Sequence, residues 1–211
     1  MGFGLPSEAE IRWYIGTTKS SRSIMTTSRA FDSETGSAPS DRETRGSEVI
    51  QRFEKAIFRN AGGQARFRRE IPLILRQSMD EVIDTPRTGR SQLDETKMIE
   101  RIYLATKVRV RLKSFLRFPR GKLHDVVVGG VEAGIQSTVG RTWHISPAMV
   151  GFPCILIKTD PRRRVCSVGT IVIRDETLSP GKNPSGRRTI SCAGLAGVRW
   201  ILKDEPLPDL P

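Results

Sequence analysis

The sequence has few cysteines, and none of them lies at the spacing of metal ligands. Cys154, Cys166 and Cys192 are far apart and have neither CxxC spacing nor a neighbouring histidine, which argues against a zinc site. An odd number of thiols and the lack of a secretory signal at the N-terminus favour a reducing compartment, so we expect a cytoplasmic protein with structural thiols.

Long apolar runs and the usual hydrolase motifs are also missing. No apolar stretch approaches the roughly 20 residues of a membrane-spanning helix, so we expect no membrane association. The only histidines, His124 and His144, have no Ser or Cys nucleophile motif beside them, which argues against a catalytic triad. Residues 181–186 contain glycine but lack the order of a phosphate-binding P-loop.

Positive charge is what the sequence has in excess. It contains 35 Lys and Arg against 23 Asp and Glu, a formal net charge of +12. Such an excess favours a polyanionic partner, but it fits nucleases, ribosomal proteins and membrane-surface proteins alike. Charge therefore predicts a class of partner and no reaction.

The chain divides into a polar tail and one domain. Residues 1–46 are rich in Ser, Thr, Arg and acidic residues, which predicts a disordered tail. We expect the domain over residues 47–211, beginning with a helix capped by Ser47 and stopped by Gly62 and Gly63. A second helix is predicted from Pro72 to Asp84, followed by a loop over 85–90.

The second half of the domain is predicted to hold most of its strands. A third helix from Ser91 would turn Ile99, Ile102 and Tyr103 inward. Residues 125–128 and 131–137 form a predicted hairpin around Gly129 and Gly130, and strands are expected over 152–158 and 165–174. A last helix, capped by Ser191, would contain residues 195–202. This order predicts a mixed α/β (α+β) domain.

Residues 101–122 carry eight basic and no acidic side chains. A solvated helix face normally mixes charges of both signs, so this stretch is interpreted as a surface that follows phosphates. An ordinary solvated face is the alternative interpretation.

Three stretches resemble the endonuclease domain of NaeI-type restriction enzymes. Residues 74–90 look like the family's first-helix segment with its Arg-Thr-Gly-Arg loop. Residues 130–157 resemble its catalytic hairpin, a Trp, a proline turn and an apolar strand. Residues 187–200 look like its closing helix. The resemblance spans about residues 47–207. It implies a restriction-endonuclease-like core with a central mixed sheet flanked by helices.

The resemblance also implies partners and a cofactor. They are double-stranded DNA, Mg²⁺, a homodimer and a partner DNA methyltransferase. The family's second, C-terminal DNA-binding domain is expected to be absent from residues 47–211.

The catalytic positions of the family can be examined one by one. Its helix glutamate corresponds to Arg109, and its first aspartate corresponds to His124, with Asp125 beside it. The Asp-x-Lys motif corresponds to Ala133-Gly134-Ile135. The carry-over leaves Asp125 and Glu132 as a displaced pair of catalytic and metal-binding carboxylates, or as ordinary surface acids of the hairpin. Because charged ligands are essential in metal-assisted hydrolysis, we expect an inactive or weakly active nuclease.

Arginine and lysine are the natural contacts to phosphates and base edges. The candidate DNA-binding residues are Arg87, Arg90, Lys97, Arg109, Arg111, Arg141, Arg162, Arg163 and Arg164.

Three hypotheses stay open at this point. The first is a double-stranded DNA-binding protein that does not cut, and the second is an active endonuclease that uses Asp125 and Glu132. The third is a basic RNA-binding protein with an accidental resemblance, although aromatic residues for base stacking are sparse at 6%.

Overall fold

Four helices precede the first strand. A computed structural model describes residues 41–209, and their side chains from Glu48 onward. The helices are α1 (Asp41–Ala61), α2 (Gln64–Ile83), the single turn α3 (Thr85–Thr88) and α4 (Met98–Leu116). A 3₁₀ turn over Leu93–Glu95 leads into α4.

The first two helices are longer than predicted. Helix α1 begins at Asp41, so Ser47 lies inside it and is not its cap, but it ends before Gly62 and Gly63 as predicted. Helix α2 was expected to start at Pro72, yet Pro72 lies in its interior. Burial of the neighbouring Ile71, only 1% exposed, offsets the backbone hydrogen bond that a proline removes. Residues 1–40 of the predicted tail lie outside the described residues.

The inward face of α4 differs from the prediction. Ile99 and Tyr103 are 43% and 49% exposed, whereas the buried face is formed by residues spaced four apart, Leu104, Val108, Leu112 and Leu116. This second stripe is longer and more continuous, so burying it removes more apolar surface from water.

Eight strands form two sheets. They are β1 (Val126–Val128), β2 (Val131–Thr138), β3 (His144–Ile145), β4 (Pro153–Asp160), β5 (Val165–Val172), β6 (Leu178–Lys182), β7 (Arg188–Ile190) and β8 (Arg199–Pro206). The larger sheet has the order β1-β2-β4-β5-β8, and the smaller has the order β3-β7-β6. Strands β2 and β4 are parallel and the other neighbours antiparallel, so the larger sheet is mixed.

The hairpin and the two strands after it are confirmed. Gly129 and Gly130 have φ angles of 59° and 83°, which a tight turn requires and glycine adopts without strain. The predicted last helix is wrong beyond its start. Ser191 does cap a helix, α5 (Cys192–Ala196), by accepting a hydrogen bond from the amide of Gly194, but residues 199–206 are strand β8, which pairs with β5.

The larger sheet has a different layer on each face. Helices α1, α2 and α4 cover one face, where they bury Ala133, Ile135 and Ile155. The smaller sheet covers the other face through a second apolar cluster that includes Trp143 and Leu156. This arrangement confirms the predicted mixed α/β class with a central mixed sheet. Among residues 41–209, no helix has both the length and the apolar character to cross a membrane.

Candidate functional site

Asp125 lies immediately before β1, where α4 passes over the hairpin. Its Oδ1 atom is 3.6 Å from both Arg109 Nη1 and Lys113 Nζ, two cations one turn apart on α4. Its Oδ2 atom accepts a hydrogen bond of 2.9 Å from the amide of Ile135. The carboxylate is 19% exposed, so it is held between two positive charges and the backbone of β2.

The two positions that correspond to the Asp and Lys of the Asp-x-Lys motif are part of the apolar core. Ala133 and Ile135 are both 0% exposed, and they pack under the helices on one face of the larger sheet. Neither side chain has an atom that can ligate a metal or donate a proton. At the position of the first aspartate, the ring of His124 lies 4.2 Å from the ring of Phe152, edge to face.

Glu132 supports the loop before the hairpin. Its two carboxylate oxygens accept hydrogen bonds from the amides of Lys122, at 2.7 Å, and His124, at 3.1 Å. These bonds hold the pKa of Glu132 below its ordinary value, the amide of Lys122 having the largest effect. The approach is close, because a Cβ atom on Gly121 would lie 2.3 Å from Glu132 Oε2. The loop thus requires glycine there.

These positions do not fit a Mg²⁺ site. Mg²⁺ takes six oxygen ligands, usually including one or two carboxylates, but Asp125 already neutralises part of the charge of two cations, and both oxygens of Glu132 accept amides. Among the described residues, no group of three or more His, Cys, Asp or Glu side chains could hold a metal ion. The role of Asp125 and Glu132 as displaced ligands stays a prediction.

Two of the three thiols are buried. Burial raises the pKa of the Cys154 thiol far above its ordinary value and that of Cys166 to about 12. Such thiols stay protonated at neutral pH, as expected of structural cysteines. Cys192 is exposed.

The opposite flank of α4 forms a second charge cluster. Lys107 and Arg111 both form ion pairs with Glu81 of α2, and Arg111 also donates to Gln77 at 3.2 Å. Residues four apart share a flank of a helix. Lys107 and Arg111 therefore face α2, whereas Arg109 and Lys113 face Asp125.

Three other candidate DNA contacts lie before or at the start of α4. Arg87 is 86% exposed and 3.8 Å from Asp84. Arg90 is 26% exposed and donates to Glu100 at 2.6 Å, and this bond is the main reason that the pKa of Glu100 is lowered. Lys97 precedes the helix, and its amide donates to the same Glu100. Arg90 and Lys97 therefore brace the start of α4.

The candidates at residues 162–164 lie in the turn between β4 and β5. Arg162, 81% exposed, pairs with Asp94 at 2.7 Å, and Arg163, 64% exposed, lies 3.7 Å from Asp204. Arg164 pairs with Asp209. The three side chains diverge to different partners, so the turn does not present them as one patch.

The structure instead brings Arg141 and Arg162 into one groove with two side chains missing from the predicted set. These are Arg101, from the first turn of α4, and Lys158, from β4. Lys113 was likewise missed at the Asp125 cluster. Lys113 belongs to the basic stretch 101–122, but nothing local in the sequence marks Lys158, because its place in the groove depends on the pairing of β4 with β2.

Comparison with known proteins identifies one family. The profile of the family described as "Restriction endonuclease NaeI" matches residues 68–210. The chain is 24% identical over 132 residues to the protein "Type II restriction enzyme NaeI" of Lentzea aerocolonigenes. That match covers 62% of this chain and 41% of the relative, so the chain spans about two fifths of the relative's length.

Proposed function

Because the chain belongs to the NaeI restriction endonuclease family, we propose that it binds double-stranded DNA and has lost most or all Mg²⁺-dependent cleavage. The observation that carries this proposal is the pairing of Asp125 with Arg109 and Lys113. Two cations stand where a nuclease of this family needs a site that attracts a divalent metal ion.

Electrostatics supports binding without cleavage. One carboxylate and two cations give the cluster a local formal charge of +1, which repels a divalent cation and attracts a phosphate. The cluster is partly open to solvent, since Arg109 and Lys113 are 24% and 33% exposed. A backbone phosphate could therefore compete with Asp125 for the same two side chains.

Other side chains that metal-dependent hydrolysis requires are also missing. Family members generally depend on Mg²⁺, which activates water and neutralises charge on the phosphate. At the position of the Asp-x-Lys motif this chain has Ala133 and Ile135, both fully buried and apolar. Lys113 lies beside Asp125, but the cluster has no second carboxylate, and Asp125 is already paired with Arg109 and Lys113; it is therefore poorly suited to hold Mg²⁺ or to deprotonate water next to a bound phosphate.

The alternative of an active enzyme with displaced ligands has less support. It would require Glu132 to release the amides of Lys122 and His124, and Asp125 to release two cations. A homodimer and a partner methyltransferase belong to the same proposal through the family alone.

The proposal is tested by two assays on one preparation. Unmethylated plasmid is incubated with the protein in Mg²⁺ or Mn²⁺, and duplex DNA is titrated in EDTA across a salt series. We expect salt-dependent binding, because phosphate contacts release counterions, and no discrete fragments.

Other outcomes separate the hypotheses. Discrete fragments would contradict the loss of cleavage, and Asp125→Asn and Glu132→Gln would then identify the ligands. Tighter binding of RNA than of duplex DNA at matched salt would favour the RNA-binding alternative, and binding of neither would exclude both.

A further inference from the structure

A groove of about 340 Å³ opens where the C-terminal ends of β2 and β4 meet the start of α4. Four basic and two acidic side chains line it, namely Arg101, Arg141, Lys158, Arg162, Asp94 and Asp160. The remaining walls are apolar or backbone. Its formal charge is therefore positive, which favours an anion.

The two acidic side chains are engaged within the protein. Asp160 Oδ1 accepts the amides of Arg162 and Arg163, both at 3.1 Å, and so stabilises the turn between β4 and β5. Asp94 Oδ2 accepts a hydrogen bond from Arg162 at 2.7 Å. Besides Arg162, and Arg101, which bonds to backbone carbonyls, the groove has two further cations, and neither carboxylate is paired with them.

Those two cations are Arg141 and Lys158. Within the described part of the chain, no carboxylate lies within 4.0 Å of the charged group of either. A larger cavity of about 690 Å³ shares Asp94 and Arg162 with the groove. The arginines and aspartates of the larger cavity are equal in number. Of these two cavities, therefore, the smaller groove is the one with an excess of positive charge.

Arg101 fixes the wall of the groove. Its Nη2 atom donates to the carbonyl of Asp94 at 3.0 Å and to that of Thr96 at 3.3 Å, which ties the first turn of α4 to the segment before it. We assign Arg101 a positioning role, since its Nη2 atom is bonded to two backbone carbonyls. Arg141 and Lys158 are left to meet a ligand.

The groove lies in line with the Asp125 cluster. Lys158 is the register partner of Thr138, and Ile135, whose amide binds Asp125, precedes Thr138 on the same strand; three residues of strand span about 10 Å. From Arg101 to Arg109, α4 advances about 12 Å. Phosphates of one DNA strand are about 3.4 Å apart along the duplex axis and farther apart in space, so the two sites lie no more than about three to four nucleotides apart.

We propose that Arg141 and Lys158 bind a backbone phosphate of duplex DNA, within about four nucleotides of the phosphate that faces Arg109 and Lys113. This inference rests on the proposed function and adds a second point of contact on the same strand. The two contacts together fix the direction in which the DNA crosses the surface where α4 packs against β2.

The test is the double variant Arg141→Ala/Lys158→Ala, measured by titration of a fluorescent duplex across a salt series in EDTA. We expect about tenfold weaker binding or more at 0.1 M salt, and a log–log salt slope that is shallower by about 2, because each phosphate contact contributes about 0.9. Thermal unfolding checks that the fold is unchanged.

The matched control is Arg69→Ala/Lys203→Ala, which removes the same two residue types from exposed positions that do not line the groove. We expect it to alter the slope by much less. Equal slopes and affinities for the two double variants would overturn the groove inference while the wild-type protein still bound DNA. Failure of the wild type to bind duplex DNA would instead overturn the proposed function.

Discussion

Asp125 is contacted by two side-chain cations and one backbone amide, and this set of partners decides what the residue can do. A carboxylate that already accepts from Ile135 and pairs with Arg109 and Lys113 has little negative potential left for a metal ion. The two cations in turn stay near the surface because the carboxylate anchors them. Asp125 therefore acts on DNA, in our proposal, by positioning Arg109 and Lys113.

Glu132 gives a prediction about stability and pH. Because amides hold its pKa below the ordinary value of 4.5, its stabilising contribution is full above that pH and is lost as the pH falls through the lowered pKa. We expect Glu132→Gln to lower the Tm by a few degrees at pH 7, and this difference should shrink as the pH falls below 4.5. Differential scanning fluorimetry over a pH series measures both.

Glu176→Gln is the control for that measurement, because Glu176 is 71% exposed and lies only near Arg174, at 3.9 Å. Its effect on the Tm should be small. If Glu132→Gln instead kept the Tm of the wild type and removed metal-dependent cleavage, Glu132 would be a ligand and the loop role would be wrong.

At the scale of elements, helix α4 connects the core with both charge clusters. Its buried stripe runs through Val108 and Leu112, each 2% exposed, and the basic residues lie on the two flanks of that stripe. The helix must keep this rotation for Arg109 to reach Asp125 and for Arg111 to reach Glu81. Packing of the stripe therefore positions the cations.

The orientation of α4 about its own axis can be tested by measuring stability. Leu112→Ala should cost about 2–5 kcal/mol in the free energy of unfolding, since it leaves a cavity under the helix. Val110→Ala, at a position 60% exposed, should change it by less than about 0.5 kcal/mol. Urea unfolding of both variants checks this, and similar losses would contradict the observed rotation.

The sequence predicted elements whose signal is local and missed those that depend on distant partners. The hairpin followed from alternating apolar residues around Gly129 and Gly130, and β4 and β5 from apolar runs. Strand β8 was mistaken for a helix because Val198, Ile201 and Leu202 fit a helical period, whereas pairing with β5 decides the outcome.

In the candidate site, too, the contacts between distant elements were the ones that the sequence did not predict. Alignment with the family pattern placed Arg109 and Asp125 near one another, and the structure gives their contact. Lys113 and Lys158 were missed, because their importance arises only where α4 meets the hairpin and where β4 ends beside β2. Local sequence patterns carry no information on such contacts between elements.

For the whole molecule, two basic features lie along the boundary between α4 and the larger sheet, namely the Asp125 cluster with Arg109 and Lys113 and the groove with Arg141 and Lys158. In our proposal, the family's catalytic positions correspond to Arg109, Ala133 and Ile135, around the first of these features. Restoring the missing groups in this frame therefore tests the alignment and the fold together.

The test is the triple variant Arg109→Glu, Ala133→Asp, Ile135→Lys. Since residues 133 and 135 are fully buried, charges there cost several kcal/mol until they find partners, and we expect a Tm lower by about 10 °C without metal. Mg²⁺ should recover part of this loss by binding the folded state, and plasmid cleavage should appear. Arg109→Glu alone, as the control, should gain neither effect, because one added carboxylate leaves the lysine and the second ligand missing. A triple variant that folds and binds DNA but gains neither a Mg²⁺-dependent Tm nor cleavage would show that these three positions are not the family's catalytic ones.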